Sequence, residues 1–228
     1  MKGIGGQAIP TEMKDQYFRL KDSCRQGLIR HLEMACSRVP GMDPSRMLDI
    51  GCGTGVPTCW LAEHYPGTIT AIDTDRDALD FLRGKISHLH LDERILLQHI
   101  SFFDYDCEPE AFDLVLAEGF LNVVGFENGF NRVLEFLKRG GTFIIHDEWK
   151  DHEKKCGLIE QQNCRIIDTL YLDETVWWND YYLALESGIG RIADARLRSL
   201  FENDLKEIEL FRRDPSPFRS IYYIIGKG

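Results

Sequence analysis

The residues best suited to chemistry in this chain of 228 residues lie in one run, Leu48-Asp49-Ile50-Gly51-Cys52-Gly53-Thr54-Gly55, and at Asp73. The run reads as a short strand (46–50), a glycine turn, and a helix that includes Thr58-Cys59-Trp60-Leu61-Ala62-Glu63. Glycines at such a turn let a ligand approach the main chain closely, and an acid at the tip of the next strand can accept both hydroxyl protons of a ribose. A glycine triplet alone is weak evidence. The strand before it, the helix after it and the acid at the next strand end make the signal specific. The spacing is G-x-G-x-G, with Val56-Pro57 where the third spaced glycine of the dinucleotide fingerprint would fall. That spacing disfavours a pyrophosphate seated on the helix N-terminus.

Further candidates sit at the ends of later strands. Glu118 follows the run 112–117 and His146 ends the run 142–146, and open parallel sheets place ligands beyond their strand C-termini. Either side chain is a candidate general base. The bland readings are a cap for Glu118 and simple packing for His146. His146-Asp147-Glu148 cannot all face one metal ion from an extended strand, because side chains alternate, so no metal site is expected. The cluster Trp177-Trp178-Asn179-Asp180-Tyr181-Tyr182 is either the core of inserted helices or the wall of an acceptor pocket. An N-terminal helix carrying Tyr17, Phe18 and Arg19 is a second candidate lid, or packs against the sheet.

These positions require a frame of alternating strands and helices. Strands are expected at 46–50, 68–72, 94–100, 112–117 and 142–146, with helices at 12–38, 75–91 and 127–137 between or before them. Lys138-Arg139-Gly140-Gly141 suits a helix C-terminus. Such alternation predicts a parallel sheet covered on both faces. Residues 150–187 carry no strand signal; 191–203 suits a helix, and 205–212 and 218–225 suit two strands. Their short connection forces an antiparallel pair. The expected fold is α/β: a Rossmann-like, doubly wound, seven-stranded sheet of five parallel strands plus a C-terminal antiparallel hairpin. An N-terminal helix and a helical insertion after the fifth strand complete it. The expected organisation is an N-terminal helical cap (1–45), a binding core (46–149), a helical insertion serving as acceptor lid (150–188) and core completion (189–228).

Composition narrows the partners. Hydrophobic residues make up 43% and charged residues 28%, ordinary for a globular chain with a full core. The net charge of −10 gives no overall positive field to gather a nucleic-acid backbone or an acidic membrane. The seven cysteines are scattered without a C-x-x-C pair, which fits reduced thiols rather than a disulfide framework. The start has no signal-peptide core and no window is apolar enough to span a bilayer. The expected location is cytoplasmic.

The LDIGCGTG loop, Asp73, the FDLVLAEG strand, the LKRGGTFIIHDE turn and strand and the terminal hairpin together resemble the class I S-adenosylmethionine-dependent methyltransferases. The resemblance runs from about residue 46 to the C-terminus and is similar to uncharacterised bacterial and archaeal members thought to act on small molecules. It implies that Gly51, Gly53 and Gly55, with Cys52 between them, line the methionyl and ribose portions of S-adenosylmethionine. It also implies that Asp73 binds the ribose diol, Asp49 organises the loop and Thr74 lies beside the adenine. Ser101 stands where the family often has an acid for the adenine amine, with Asp104 displaced by three; the Ser101 hydroxyl and the Phe102 backbone are the substitutes. Glu118, next to Gly119, faces the meeting place of methionyl group and acceptor. S-adenosylhomocysteine would be the product. Glu118 or His146 would serve as base only where the acceptor must lose a proton.

No N/D-P-P-[YFW] segment and no Pro-Cys pair is present, so a small-molecule acceptor is expected, with neither nucleic acid nor membrane as partner and a monomer or homodimer as the assembly. Two other readings remain open at this point: a nicotinamide-dependent oxidoreductase on a related fold, and a non-catalytic S-adenosylmethionine-binding protein.

Overall fold

A computed structural model describes residues 9–39 and 41–228; the glycine-rich start and Pro40 lie outside them. The chain begins with α1 (Thr11–Arg25), a 3₁₀ turn (Gln26–Leu28) and α2 (Ile29–Cys36). Then come β1 (Arg46–Ile50), α3 (Val56–His64), β2 (Thr68–Asp73), α4 (Arg76–His88), β3 (Ile95–His99) and β4 (Phe112–Glu118). The short α5 (Leu121–Val124) and α6 (Phe126–Phe136) lead into β5 (Leu137–Glu148), followed by α7 (His152–Gln161) and β6 (Cys164–Leu172). Before β7 (Ser220–Lys227) lie α8 (Glu174–Trp177), a π-helical turn (Trp178–Tyr182), α9 (Leu183–Gly190), α10 (Ala195–Ser199) and α11 (Glu202–Arg213).

The seven strands form one sheet in the order β3-β2-β1-β4-β5-β7-β6. The first five are parallel, and β7 pairs antiparallel with both β5 and β6. This is the expected architecture. Along β1, Met47, Leu48, Asp49 and Ile50 are all buried, because helices cover both faces of the sheet. On one face Leu48, Val115 and Phe143 pack with Phe130 and Phe136 of α6. On the other, Met47, Leu116 and Ile144 pack with Leu32 of α2 and Leu79 and Leu82 of α4. A third cluster, which includes Cys24, Tyr182, Leu185, Phe201 and Phe211, joins α1 to α9 and α11 as a helical cap.

Three local expectations are corrected. Residues 205–212 are helix, not strand: Asp204, Ile208 and Phe211 are buried on one helical face, with Glu202 and Asp204 in the first turn and Arg212 and Arg213 in the last, a sign pattern that suits the helix dipole. The sixth strand is instead Cys164–Leu172, inside the stretch with no strand signal. It is an edge strand whose register shifts between Ile166 and Asp168, which breaks the period-2 pattern. The antiparallel pair is therefore joined by a long helical connection (173–219), and the segment 150–188 contains α7 and β6 as well as helical cap. Gly140-Gly141 does not end a helix. The pair lies within β5 beside a register shift, where Phe112 pairs with Leu137 but Leu114 with Thr142. Among the described residues no helix is long and apolar enough to cross a membrane.

Candidate functional site

After β1 the chain turns through Gly51, Gly53 and Gly55, all at positive φ, into α3. A Cβ on Gly55 would lie 2.4 Å from Leu82, so helix packing excludes a side chain there. Gly53, at φ +53°, differs: a Cβ there would meet no protein atom within 4 Å, so its bare face borders open space. The loop amides turn inward. Gly51 N and Cys52 N donate to Ile72 O (2.9 and 3.1 Å), Gly55 N to Cys52 O (2.8 Å) and Gly53 N to Asp73 Oδ2 (2.7 Å). Pro57 has no amide proton to offer. Four amides of the loop, those of Gly51, Cys52, Gly53 and Gly55, are thus committed within the protein.

Asp73 Oδ1 accepts from Asp75 N at 2.7 Å. With Gly53 N on the other oxygen, about two of the roughly four acceptor positions of a carboxylate are used. Asp49 is buried and accepts from Thr58 Oγ1 at 2.5 Å, which pins β1 to α3. Burial pushes its carboxyl up to about 7, and the Thr58 hydrogen bond opposes that rise. Burial also pushes the Cys52 thiol well up, so it stays a protonated, inert side chain.

Register builds the second half of the site. Glu118 pairs with His146 across β4 and β5, and His146 pairs with Tyr222 across β5 and β7. The three side chains therefore form one row at the C-terminal edge of the parallel strands. Tyr222 Oη donates to Glu118 Oε1 at 2.5 Å. The Tyr222 ring lies parallel to His146, with centroids 4.3 Å apart, and Trp177 stacks near His146 at 5.8 Å. His146 Nε2 lies 2.9 Å from Ser220 Oγ, which also accepts from Trp177 Nε1 at 3.3 Å. Burial raises the Glu118 carboxyl, opposed by the Tyr222 hydrogen bond and the Arg25 charge. Burial, with the His31 and Arg25 charges, lowers the His146 imidazole to about 3, so it is neutral. This row lines a cavity of about 300 Å³, which Arg25, Leu28, Ile29, Trp177, Tyr182 and Phe218 also line.

Two anchors hold the cap over the loop. Asp22 of α1 accepts from Thr54 Oγ1 of the glycine loop and from Lys85 Nζ of α4, each at 2.5 Å. Asp180 in the π-helical turn accepts from Arg30 Nη2 at 2.6 and 2.8 Å and lies 2.8 Å from His31 Nε2. The π-helical turn separates neighbouring aromatics: Trp177 and Tyr182 line the cavity, whereas Trp178 stacks on Phe211.

Residues 43–188, more than half of the chain, match the family described as a methyltransferase domain. The chain belongs to that methyltransferase family. It is 26% identical over 129 residues to the sterol 24-C-methyltransferase of Clavispora lusitaniae, a match covering 56% of this chain and 34% of that protein. The match thus spans about a third of that curated relative. Among solved structures, the [4+2]-cyclase SpnF superposes with a TM-score of 0.73 at 15% identity, covering 87% of this chain and 80% of that one. The geranyl diphosphate C-methyltransferase of Streptomyces coelicolor, in complex with Mg²⁺, geranyl diphosphate and S-adenosylhomocysteine, gives 0.65 at 12% identity, covering 87% and 79%. Both likenesses concern the fold.

S-adenosylmethionine is the cofactor of this methyltransferase family. The residues present fit it: Gly53 leaves open space where any side chain would intrude, and Asp73 keeps acceptor positions for a diol. Gly119 N donates to His146 O at 2.9 Å, which ties the tips of β4 and β5 together beside Glu118. Beyond the tips of β2 and β3, Thr74 O lies 3.0 Å from His99 Nε2, and Ser101 Oγ accepts from Phe103 N at 3.3 Å. The Phe102 ring is buried edge-on against Phe120 and Phe136, so its side chain is core.

Tyr17, Phe18 and Arg19, candidates for a lid or for packing against the sheet, do not line the cavity. Tyr17 packs on Phe201, Phe18 packs on Phe81, and Arg19 borders a groove between α1 and α4. From the N-terminal region it is Arg25, Leu28 and Ile29 that reach the cavity. Arg25 and Tyr222 carry no motif and were invisible until register and cap packing placed them. Among the described residues no cluster of three His, Cys, Asp or Glu side chains is arranged to hold a metal ion.

Proposed function

We propose that this methyltransferase transfers a methyl group from S-adenosylmethionine to a small-molecule acceptor held in the cavity bordered by Glu118, His146 and Tyr222. The observation that carries this reading is the pairing of an inward-bonded glycine loop, open only at Gly53, with Asp73 at the next strand tip. The names of the relatives, a sterol and a geranyl diphosphate methyltransferase, support a small acceptor.

Bound S-adenosylmethionine supplies a methyl group already activated by its sulfonium. Gly51, Cys52, Gly53 and Gly55 shape the surface it rests on, with Asp49 bracing the loop through Thr58. Asp73 receives the ribose hydroxyls. Thr74, Ser101 and the main chain at Phe102 border the base, and Gly119 and Glu118 border the methionyl end. The Arg25 guanidinium, whose charge reaches Asp49, Glu118 and His146, receives the methionyl carboxylate. The cap residues Trp177, Tyr182, Leu28 and Ile29 exclude water and fix the acceptor. Orientation of this kind contributes on the order of 7–11 kcal/mol.

Glu118 is the base for an acceptor that must lose a proton, because burial raises its affinity for one. His146, lowered to about 3, is a poor base and instead orients the acceptor through a hydrogen bond. The seven free cysteines favour a reducing, cytoplasmic setting, and a monomer or homodimer acting without nucleic acid or membrane fits the charge. The G-x-G-x-G spacing, with Val56-Pro57 in place of the third spaced glycine, speaks against a nicotinamide cofactor.

The test incubates the protein with methyl-labelled S-adenosylmethionine and a pool of small metabolites. Label in a small molecule supports the proposal. Label only in nucleic acid or protein, or tight NADH binding without S-adenosylhomocysteine binding, contradicts it. Binding of S-adenosylhomocysteine with no turnover across broad pools favours a non-catalytic binding protein.

A further inference from the structure

Most acids of the cavity have a partner within the protein, although Asp147 Oδ1 is buried without a hydrogen bond, whereas neither of its arginines has an acidic partner. Glu118 accepts from Tyr222 Oη (2.5 Å), Glu207 from Tyr182 Oη (2.7 Å) and Glu148 from Asn122 Nδ2 (3.5 Å). Asp147 Oδ2 lies 2.8 Å from Lys155 Nζ. Arg25 and Arg219 line the same cavity, and neither forms an ion pair among the described residues. Arg219 is partly buried and donates only through Nε, to Ser216 O at 3.0 Å, which fixes its stem and leaves both terminal amino groups unused. Asp214 feels the Arg219 charge, but its carboxylate accepts from Ser216 N and Oγ at 3.1 and 2.6 Å.

Acids are in excess in this chain, with 37 against 27 basic residues. Two unpaired guanidiniums in a cavity that also contains four carboxylates therefore do not reflect a shortage of partners. Guanidinium groups present a rigid fork matched to carboxylate and phosphate. Charges beyond a Debye length of about 8–10 Å are screened, so the local field is set by the groups of the cavity itself, where Lys155 pairs with Asp147.

We propose that the acceptor is a small anion whose carboxylate or phosphate is received by Arg219, with its apolar body against Trp177, Tyr182 and Phe218. The proposal rests on the methyltransferase reading, in which the cofactor carboxylate occupies Arg25 and Arg219 is left for the second ligand. The aromatic residues Trp177, Tyr182 and Phe218 and the carboxylate of Glu118 line this pocket together with Arg219. An acceptor of this class places its charged end at Arg219 and its nucleophilic atom toward Glu118.

The test begins with calorimetry of S-adenosylhomocysteine; failure to bind would overturn the methyltransferase reading itself. The loaded, full-length protein is then titrated with benzoate, phenyl phosphate, benzyl alcohol and benzylamine, followed by protein NMR. At least one of the two anions is expected to bind roughly tenfold or more tightly than the alcohol and the amine. The stronger anion identifies carboxylate or phosphate as the recognised group. Arg219→Gln is expected to weaken that anion roughly tenfold to a hundredfold and leave S-adenosylhomocysteine affinity unchanged, with Arg219→Lys intermediate. Equal or tighter binding of the amine or alcohol, no binding of either anion to the loaded protein, or indifference of the anion to Arg219→Gln overturns the proposal. Thermal unfolding of both variants separates a lost contact from a lost fold.

Discussion

Tyr222 holds Glu118 from two strands away: its phenol donates to Glu118 Oε1 at 2.5 Å while its ring lies parallel to His146, the residue between them. Glu118, His146 and Tyr222 share one register level across β4, β5 and β7. The stack fixes the phenol, the phenol fixes the carboxylate, and the carboxylate thereby keeps one orientation toward the cavity.

Tyr222→Phe keeps the ring stack and removes only the donor. Loss of that donor from the partly buried Glu118 carboxyl should cost about 1–3 kcal/mol, measurable as a shift in urea unfolding. Because the Tyr222 hydrogen bond lowers the Glu118 pKa, its loss raises that pKa further. The methyl-transfer rate should then need a higher pH to reach its plateau, while S-adenosylhomocysteine affinity stays within a few-fold. Unchanged stability together with an unchanged pH profile would remove Tyr222 from the account.

Asp22 joins α1 to both the glycine loop and α4 through Thr54 and Lys85. Asp22→Ala leaves two donors without their acceptor and should cost about 1.5–3 kcal/mol. Arg25 lies on the same helix, so S-adenosylhomocysteine should also bind more weakly. Asp22→Asn, which can still accept from Thr54 but carries no charge for Lys85, should fall between. Thermal unfolding and calorimetry on the three proteins check both effects.

His146 supplies a pH dependence of known sign. Its imidazole is lowered from 6.5 to about 3 in the folded state, so between those values the unfolded chain binds more protons. Its contribution to stability is present above about 6.5 and is lost as pH falls toward about 3. Asp49, raised to about 7, acts oppositely and loses stability as pH rises from 3.8 to about 7. Replacing His146 by Gln should therefore flatten the decline in urea midpoint on acidification below pH 6.5. A steeper decline in the variant would show that His146 is charged in the folded protein.

The glycine loop, Asp73 and the five parallel strands were legible because each is a local signal: period, turn chemistry and an acid at a strand tip. The sixth strand was not. In Leu205-Lys206-Glu207-Ile208-Glu209-Leu210-Phe211 only Ile208 and Leu210 alternate, whereas Leu205, Ile208 and Phe211 recur on one helical face, and Ile208 and Phe211 pack into the cap. At Cys164–Leu172 an edge position and a register shift erased the alternation. The row Glu118–His146–Tyr222 was half legible. Strand ends marked the first two, but Tyr222 enters through antiparallel register with β5, which no short window encodes. Arg25 was hidden for the same reason, since its place at the cavity depends on how α1 is pinned over the loop.

In the proposed complex, main chain at Gly53 lies against the cofactor. The most direct measurement is calorimetry of S-adenosylhomocysteine on the natural protein and on Gly53→Ala. The added methyl meets no protein atom within 4 Å, so the folded state should lose only about 1–2 kcal/mol from the left-handed backbone. S-adenosylhomocysteine affinity should drop roughly tenfold or more. Equal affinity in the two proteins, with the natural one binding well, would contradict the account.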